Sequence, residues 1–389
     1  MSGPLQGVTV IELAGIGPGP FAGMMLADMG ADVIRVDRIP SPSGGSALEA
    51  LMRNDSVVDR GRRSIALNIK DPRAVETVLQ LATSADTLIE GFRPGVTEKL
   101  GIGPKDCMAR NPRLVYGRMT GWGQTGPQAH AAGHDLNYIA LSGAVHAMGP
   151  ADRVPAVPLN LVGDYGGGAM LLALGVVAAL YEAQRSGQGH VVDAAITDGA
   201  AVLMAAQCGM KAKGFWQDQR ESNFLDSSAH FYGNYLCADG RYLSVGAIEP
   251  QFYRLLLEKC GVTDTHFSQQ WERSEWPALK DRLSALFLRK GRDEWCEVLE
   301  GSDACVAAVL SMSEAPTHPH NRARGTFLEQ DGVVQPAPAP RFDRTPGALP
   351  PAAPAIGRDT AAILRTLSRS DAEIEALLDA GVVYEVGGS

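Results

Sequence analysis

The sequence is poor in cysteine, and its cysteines do not occur in pairs. Six are scattered over 389 residues with no Cys-x-x-Cys spacing, which excludes the common zinc-site patterns and is typical of reduced thiols. Another possible ligand pair, His318 and His320, flanks a proline and has only Glu314 nearby, which favours a loop over a metal site. We therefore expect no disulfide, no metal and a cytoplasmic location.

Positive charge is scarce too. Lysine and arginine total 35 against 44 aspartates and glutamates, which gives a net charge of −9. No basic run stands out, so the composition argues against a nucleic-acid-binding surface and predicts no nucleic-acid partner. A local group of arginines is still able to hold an anionic ligand.

Long hydrophobic runs are also missing. The longest apolar segment, residues 169–181, is interrupted by Gly175 and is too short to cross a bilayer. The N-terminus lacks the basic residues and apolar run of a secretory signal. The sequence therefore predicts a soluble protein without a membrane partner.

What the sequence does contain is an alternation of strand and helix patterns in its first third. Strands are predicted at residues 8–13, 31–37, 64–69, 86–90 and 114–118. Helical spacing of apolar residues covers 21–28 and 74–82, between successive strands. This alternation predicts an α/β fold with a mainly parallel, Rossmann-like sheet and helices on both faces.

The loop after the first strand resembles a dinucleotide-binding turn, but its residues argue against one. In a Gly-x-Gly-x-x-Gly register that starts at Gly15, the last position is Pro20, and Pro18 also lacks a backbone N–H. Phosphate binding at such a loop needs those N–H groups. The sequence therefore predicts a Rossmann-like sheet that serves another ligand.

The pattern changes after Arg220. A β-hairpin is predicted from residues 230–236 and 241–247, with three amphipathic helices after it. A proline-rich segment, 335–340, has the composition of an extended linker. We predict a large Rossmann-like domain at 1–195, a linker at 196–227, a smaller α+β domain at 228–325, and a linker with a C-terminal helix returning to the large domain at 326–389.

Several motifs together resemble one family. They are residues 15–21 (GIGPGPF), 31–38 (ADVIRVDR), 91–95 (GFRPG), 121–127 (GWGQTGP), 133–138 (GHDLNY), 160–168 (NLVGDYGGG) and 245–252 (VGAIEPQF). With these motifs the sequence resembles the class III CoA-transferase superfamily over nearly its whole length, and more closely its branch of 2-methylacyl-CoA racemases. The resemblance implies an interlocked homodimer and an acyl-CoA substrate, with no separate cofactor because coenzyme A is part of that substrate.

The same resemblance implies three catalytic residues. His134 and Asp164 match the two acid/base groups of the racemases, and Glu249 matches a residue that pairs with the histidine. In the family the active site forms between the large domain of one subunit and the small domain of the other, so Glu249 is expected from the second chain. The transferases lack the histidine and use the matching aspartate as a nucleophile.

Substrate-binding residues also follow from the resemblance. Arg38 and Arg93 match the coenzyme A-binding surface, and Ile16 and Ala66 are expected there too, with Lys70, Arg35 and Arg62 as weaker candidates. Asn160 and Tyr232 match residues of the pocket. Backbone N–H groups of Asp135, or of the turn at 165–166, are expected to bind the enolate oxygen.

The chemistry of these residue types suits racemisation. Removing the C2 proton and returning one to the opposite face requires two groups that flank the carbon, one basic and one acidic. A neutral His134 with a protonated Asp164 serves one direction, and the reverse protonation serves the other. A helix dipole after Asp164 favours its anion, whereas burial favours its neutral form, so the sequence leaves its pKa open.

Two other functions are compatible with the same fold. One is a class III CoA-transferase in which Asp164 is the nucleophile, and the other is an acyl-CoA-binding protein without catalysis. One stretch also departs from the racemase pattern, since residues 226–230 read DSSAH where those racemases have Asp-Gly-Gly-Ala-Pro. This loop borders the acyl pocket in the family, so the departure bears on substrate choice, and His230 becomes a candidate extra base.

Overall fold

The computed structural model describes residues 3–40 and 57–387 of the chain. In chain order the strands of this part are β1 Thr9–Leu13, β2 Asp32–Arg38, β3 Arg62–Leu67, β4 Thr87–Glu90, β5 Val115–Thr120, β6 Val191–Ala195, β7 Tyr232–Leu236, β8 Tyr242–Gly246, β9 Val306–Val309, β10 Phe327–Gln330, β11 Val333–Pro336 and β12 Val383–Tyr384. The α-helices are Pro18–Asp28, Pro72–Ser84, Val96–Lys99, Pro104–Arg110, Asp135–Leu141, Met170–Ser186, Ile196–Leu203, Ala205–Ala212, Pro250–Lys259, Trp276–Phe287, Arg292–Leu299, Pro319–Arg324, Thr360–Thr366 and Asp371–Asp379, and Leu161–Ala169 is a π-helix.

The largest sheet has the order β12-β3-β2-β1-β4-β5-β6 within the described residues. All of its pairs are parallel except β12 with β3. The prediction of a large, mainly parallel sheet is therefore confirmed, and the five predicted strands agree with β1–β5 to within two residues. The chain runs outward from β1 to β3 and then back across to β4, so β1 and β4 flank the point where the strand order reverses.

Both faces of this sheet are covered, because neighbouring residues of each strand point to opposite sides. Ile11 packs with the helices Pro72–Ser84 and Asp371–Asp379, whereas Val10 packs with the helices Pro18–Asp28 and Met170–Ser186. Burial on both faces explains why apolar residues stand at successive positions, as in the Val10-Ile11 pair of β1 and the Val33-Ile34 pair of β2. At roughly 1.5–3 kcal/mol per buried aliphatic side chain, these two cores are the main stabilising contribution to the sheet.

The chain divides into two compact units. The first comprises Met1–Ser142, Leu159–Leu203 and Gly325–Ser389, and the second comprises Gly143–Pro158 and Met204–Arg324. Residues 143–158 therefore group with the smaller unit, contrary to the predicted large domain of 1–195. Arg220 explains this grouping, because its guanidinium donates to the carbonyls of His146, Pro150 and Arg153.

The predicted linker at 196–227 is wrong for its first half, which forms the helices Ile196–Leu203 and Ala205–Ala212. The first of these helices packs tightly on the π-helix Leu161–Ala169. A Cβ on Gly199 would lie only 1.8 Å from the carbonyl oxygen of Gly167. Small residues allow that backbone approach, which the composition of the segment does not reveal.

The helical segment that carries Asp164 extends well beyond the apolar run at 169–181. The π-helix continues into Met170–Ser186, and the whole stretch, Leu161–Ser186, is long and apolar enough to cross a membrane by length and composition alone. In the structure Leu172 and Val176 of this helix are fully buried against the sheet. The apolar run alone is too short to cross a membrane, but the helix that contains it is long enough.

The second unit contains the predicted hairpin, β7 with β8, and β9 extends it to three antiparallel strands. Helices pack on this sheet through an aromatic core with Phe231, Trp276 and Trp295. Both indoles donate to backbone carbonyls, so no indole N–H of that pair is left unsatisfied. The smaller α+β unit is thus present.

The proline-rich segment is only partly a linker. Gln335 and Pro336 belong to β11, which pairs with β10. Gln335 is buried, and its side-chain oxygen accepts a bond from Arg60. The predicted C-terminal helix forms at Asp371–Asp379 and belongs to the first unit, as expected for the returning segment.

Candidate active site

A cavity of about 570 Å³ opens in the first unit at the carboxyl ends of β1, β4 and β5. This is the position where ligands bind in open α/β sheets, beside the reversal of strand order. The wall includes residues of the segments 12–19, 89–94, 119–122 and 129–138, together with Asn160, Asp164 and Ile196.

His134 occupies the N-cap position of the helix Asp135–Leu141 and is exposed at the cavity wall. Its backbone N–H donates to Oδ1 of Asn137 at 3.0 Å. That bond involves the main chain of His134 and not its imidazole. The histidine therefore combines a cap position with a side chain that is open to a ligand.

Asp164 lies in the first turn of the π-helix, half-buried in the same wall. Its Oδ2 accepts a bond from Nδ2 of Asn160 at 3.4 Å. On the other side the chain approaches so closely that a Cβ on Gly17 would lie 3.3 Å from this oxygen. Gly17 has a φ of 75°, so this position suits glycine for both conformation and space.

Burial raises the pKa of Asp164, and the negative charge of Asp135 raises it further. The amide of Asn160 and the positive form of His134 act in the opposite direction, more weakly. Burial therefore outweighs the groups that stabilise the anion. This decides the direction of the pKa shift of Asp164, which the sequence left open. A carboxyl with a raised pKa in a cavity is typical of an acid/base group.

Asp135 is buried immediately behind these two residues. Its Oδ1 accepts the backbone N–H of Asp164 at 2.6 Å, and its Oδ2 has no hydrogen-bond partner in the described part of the chain. The sequence singled out Asp135 for its backbone N–H, and the structure adds this contact of its side chain.

Tyr138 is a pocket residue that the sequence interpretation did not single out. Its hydroxyl donates to the carbonyl of Gly133, and its ring meets that of Trp122 edge-on at 4.7 Å. Burial and the charge of Asp164 raise its pKa, whereas Arg93 lowers it. Tyr138 follows His134 by four residues on the same helix, and this spacing was the signal in the sequence that could have identified it as a pocket residue.

Two of the expected substrate-binding residues line the cavity, and three lie elsewhere in the first unit. Ile16 and Arg93 are exposed in the wall. Arg38 and Lys70 are exposed outside it, whereas Ala66 is fully buried and its N–H donates to Oγ1 of Thr360. Because Arg38 and Ala66 stand at the carboxyl ends of β2 and β3, they share the sheet edge on which the cavity opens.

The weaker candidates Arg35 and Arg62 are wrong, because both are buried in ion pairs. Arg35 binds Asp37 and Asp59, each at 3.0 Å. Arg62 binds Glu12 at 3.0 Å and also donates to three backbone carbonyls. Their guanidinium groups are occupied, so they are not available to phosphate.

Glu249 and Tyr232 belong to the second unit. Glu249 is exposed at the N-cap position of the helix Pro250–Lys259, and its charge contributes to a raised pKa of Cys305. Tyr232 pairs with Gly246 at the end of the hairpin. Gly246 precedes Glu249 by three residues. These two candidates therefore lie at one end of the small sheet.

His230 is not an exposed base. It is fully buried, its Nε2 lies 2.7 Å from the hydroxyl of Tyr253, and burial lowers its pKa to about 4. Four residues earlier, the carboxylate of Asp226 accepts the N–H groups of Ser222, Asn223 and Ser228. The stretch that departs from the racemase pattern is thus an ordered turn that leads into the core.

Within residues 3–40 and 57–387 no group of three or more histidine, cysteine or acidic side chains is arranged to hold a metal ion. His318 contacts Glu300 at 3.6 Å.

The chain belongs to CoA-transferase family III, whose sequence profile matches residues 5–360. It is 42% identical over 373 residues to the alpha-methylacyl-CoA racemase of Mus musculus, with 95% of each chain covered. Its identity to the alpha-methylacyl-CoA racemase of Homo sapiens is also 42%, with 96% of each covered. A solved structure of a CAIB/BAIF family protein from Brucella suis is similar with a TM-score of 0.79 and 26% identity, covering 94% of this chain and 100% of that one.

Proposed function

We propose that this protein is an isomerase that racemises 2-methylacyl-CoA thioesters at C2. The observation that carries the proposal is the cavity itself, where His134 and Asp164 come from two separate segments and Asp164 has a raised pKa. The similarity to two alpha-methylacyl-CoA racemases supports the same reaction.

Each direction of the reaction uses one residue as base and the other as acid. Neutral His134 removes the C2 proton, which leaves an enolate, and protonated Asp164 then delivers its proton to the opposite face. The enzyme ends with an imidazolium and a carboxylate, which is the starting state for the reverse direction. Burial raises the pKa of Asp164, which favours the protonated form that this direction of the reaction uses.

The enolate oxygen needs a hydrogen-bond donor. The N–H of Asp135 lies in the first turn of its helix, where N–H groups have no intrahelical acceptor. The N–H of Tyr165 in the alternative turn already donates to the carbonyl of Asn160 at 3.3 Å. This difference favours Asp135 as the enolate donor.

We also infer that the protein acts as an interlocked homodimer in which Glu249 of a second copy pairs with His134. A carboxylate there orients the imidazole and stabilises its charged form. The test is complementation between two inactive variants, His134→Ala and Glu249→Ala, unfolded and refolded together. Recovery of up to about a quarter of the activity supports a shared site, because random pairing of two chains gives half mixed dimers with one intact site in two. No recovery contradicts it.

The test of the function is exchange in deuterated water. A single enantiomer of a 2-methylacyl-CoA should lose optical purity and gain deuterium at C2. Asp164→Ala and His134→Ala should abolish both, whereas His320→Ala, at an exposed histidine outside the cavity, should retain them. Absence of exchange with aliphatic, sterol-side-chain and aryl-propionyl thioesters contradicts the proposal.

The family also supports a second candidate, a CoA-transferase with Asp164 as nucleophile. The two functions differ in covalent chemistry, because transfer requires an acyl-aspartyl anhydride and racemisation does not. Hydroxylamine trapping at Asp164, together with acceptor-dependent exchange of coenzyme A, identifies the transferase.

A further inference from the structure

The geometry points to the carboxylate of Asp135 as a positioning residue for Asp164, a role that rests on the proposed function. Asp135 follows the catalytic histidine in sequence, yet its side chain turns inward and is only 8% exposed. Its Oδ1 lies 2.6 Å from the backbone nitrogen of Asp164. One short segment thus holds the imidazole with one residue and the opposing carboxylate with the next.

The bond matters because of its place in the π-helix. In such a helix the N–H of a residue donates five positions back, and the first bond of this kind runs from Tyr165 to Asn160. Asp164 precedes that bond, so its own N–H has no partner within the helix. The Asp135 carboxylate satisfies it and thereby holds the backbone from which the Asp164 side chain projects.

Gly163 is the residue that makes room for this contact. A Cβ at this position would lie 2.2 Å from Oδ1 of Asp135 and 2.8 Å from Cγ2 of Ile139. Any side chain would therefore push the two segments apart. The glycine next to Asp164 and the aspartate next to His134 form a matched pair.

Charge acts together with this geometry. The groups that shift the pKa of Asp164 are Asp135, which raises it, and Asn160 and His134, which lower it. Tyr138 also interacts with Asp164, and Arg93 interacts with Tyr138.

The neighbouring helices add little charge at this point. The helix Pro18–Asp28 approaches Asp164 through its cap, the uncharged Gly17. The helix Ile196–Leu203 carries Asp198, which is exposed. Loss of the Asp135 charge should therefore favour the ionised form of Asp164.

Amide hydrogen exchange tests the position without reference to activity. In Asp135→Ala the N–H of Asp164 loses its acceptor, and we expect it to exchange at least about 10-fold faster. In Asp135→Asn the amide oxygen still accepts the bond, so protection should stay within about threefold of the parent protein. Asp198→Asn is the matched control, an exposed aspartate on a helix that packs against the same segment. Equal exchange in all four proteins overturns the proposal.

Kinetics with a 2-methylacyl-CoA then separate position from charge. Asp135→Ala should lower kcat by about 100-fold and change KM little, because a misplaced catalytic group slows the chemical step. Asp135→Asn should move the pH limb of kcat/KM that reports Asp164 to lower pH. Neither substitution removes the backbone N–H proposed to bind the enolate.

The outcomes distinguish the two proposals. If the parent protein exchanges no C2 proton, the proposed function fails, while amide exchange still decides whether Asp135 positions Asp164. If the parent is active and the Asp135 variants match Asp198→Asn in kcat and pH profile, the positioning role is wrong. Faster amide exchange with a lowered kcat in Asp135→Ala supports it.

Discussion

Two histidines of this chain have opposite surroundings. His134 stands at a helix start in the wall of a cavity, beside carboxyl groups and open to a ligand. His230 lies in the aromatic core of the second unit, with Phe231, Tyr253 and Phe267 around its ring. Burial lowers the pKa of His230 to about 4, so it stays neutral near pH 7.

The difference teaches that reactivity follows location and not residue type. Both histidines have polar neighbours, but within the described residues the hydrogen bond of the His230 ring is with Tyr253, in a buried aromatic core. A proton there has no route to a substrate and would cost desolvation energy. At His134 an exposed ring and a half-buried carboxyl face the same space, which is what proton transfer requires.

The largest effect that separates the two histidines is on catalysis. His134→Gln keeps a polar side chain of similar size but cannot accept a proton near neutral pH, so C2 deuterium exchange should fall by about 10³-fold or more. Thermal unfolding should change little because His134 is exposed. His320→Gln is the matched exposed control. Retention of normal exchange by His134→Gln would falsify the catalytic assignment.

The second effect is on stability and its pH dependence. The folded-state pKa of His230 is about 4, below its usual 6.5, so between these values the unfolded state binds a proton that the folded state does not. Stability should therefore fall as pH decreases from 6.5 to 4, by about 3 kcal/mol in total.

Urea unfolding at a series of pH values measures this dependence. His230→Phe removes the titrating group while keeping an aromatic ring, so its stability should fall less steeply between pH 6.5 and 5 than that of the parent. Parallel curves for the two proteins would show that His230 does not contribute.

These two histidines also show what the sequence reveals. The strands β1–β5 were predictable because each contains buried apolar residues and helical spacing or turns separate them, and the cavity residues His134 and Asp164 lie in motifs shared with a family. Nothing local marks His230 as buried, since that depends on Tyr253 and Phe267 from other elements. A short antiparallel strand such as β12, two residues long, gives no periodic signal.

Buried ion pairs were beyond the sequence for the same reason. Arg62 meets Glu12, fifty residues away, and Arg35 meets Asp59. Arginines in strands are usually solvated. The pairing of β1, β2 and β3, together with the turn at Val57–Asp59 that precedes β3, brings these partners together. Long-range pairing therefore decides which arginines remain free for an anionic substrate.

A third prediction compares one tyrosine from each region. The hydroxyl of Tyr253 donates to the carbonyl of Phe267 at 3.0 Å and also contacts His230, all within the core. Tyr253→Phe should therefore destabilise the protein by about 1–3 kcal/mol, because it leaves buried groups unsatisfied.

Tyr138→Phe removes a hydroxyl at the cavity, where water can replace it at the carbonyl of Gly133. It should cost less than about 1 kcal/mol of stability while lowering the exchange rate through its contact with the His134 segment. Chemical denaturation and deuterium exchange, measured on both variants, give the comparison. Similar losses of stability would mean that the cavity is as dry as the core.

The smallest effect concerns the turn that leads to His230. Ser227 has a φ of 72°, a left-handed conformation that costs a serine about 1 kcal/mol and a glycine almost nothing. Glycine also loses more chain entropy on folding, so Ser227→Gly should stabilise the protein by only about 0.5 kcal/mol.

The neighbouring Ser228 is the matched control, because it is not among the residues with positive φ. Ser228→Gly should destabilise by a similar amount, since it adds chain entropy without relieving strain. Opposite signs in the two melting temperatures show that the turn keeps a glycine-like backbone although the glycine is absent, and equal signs contradict that interpretation.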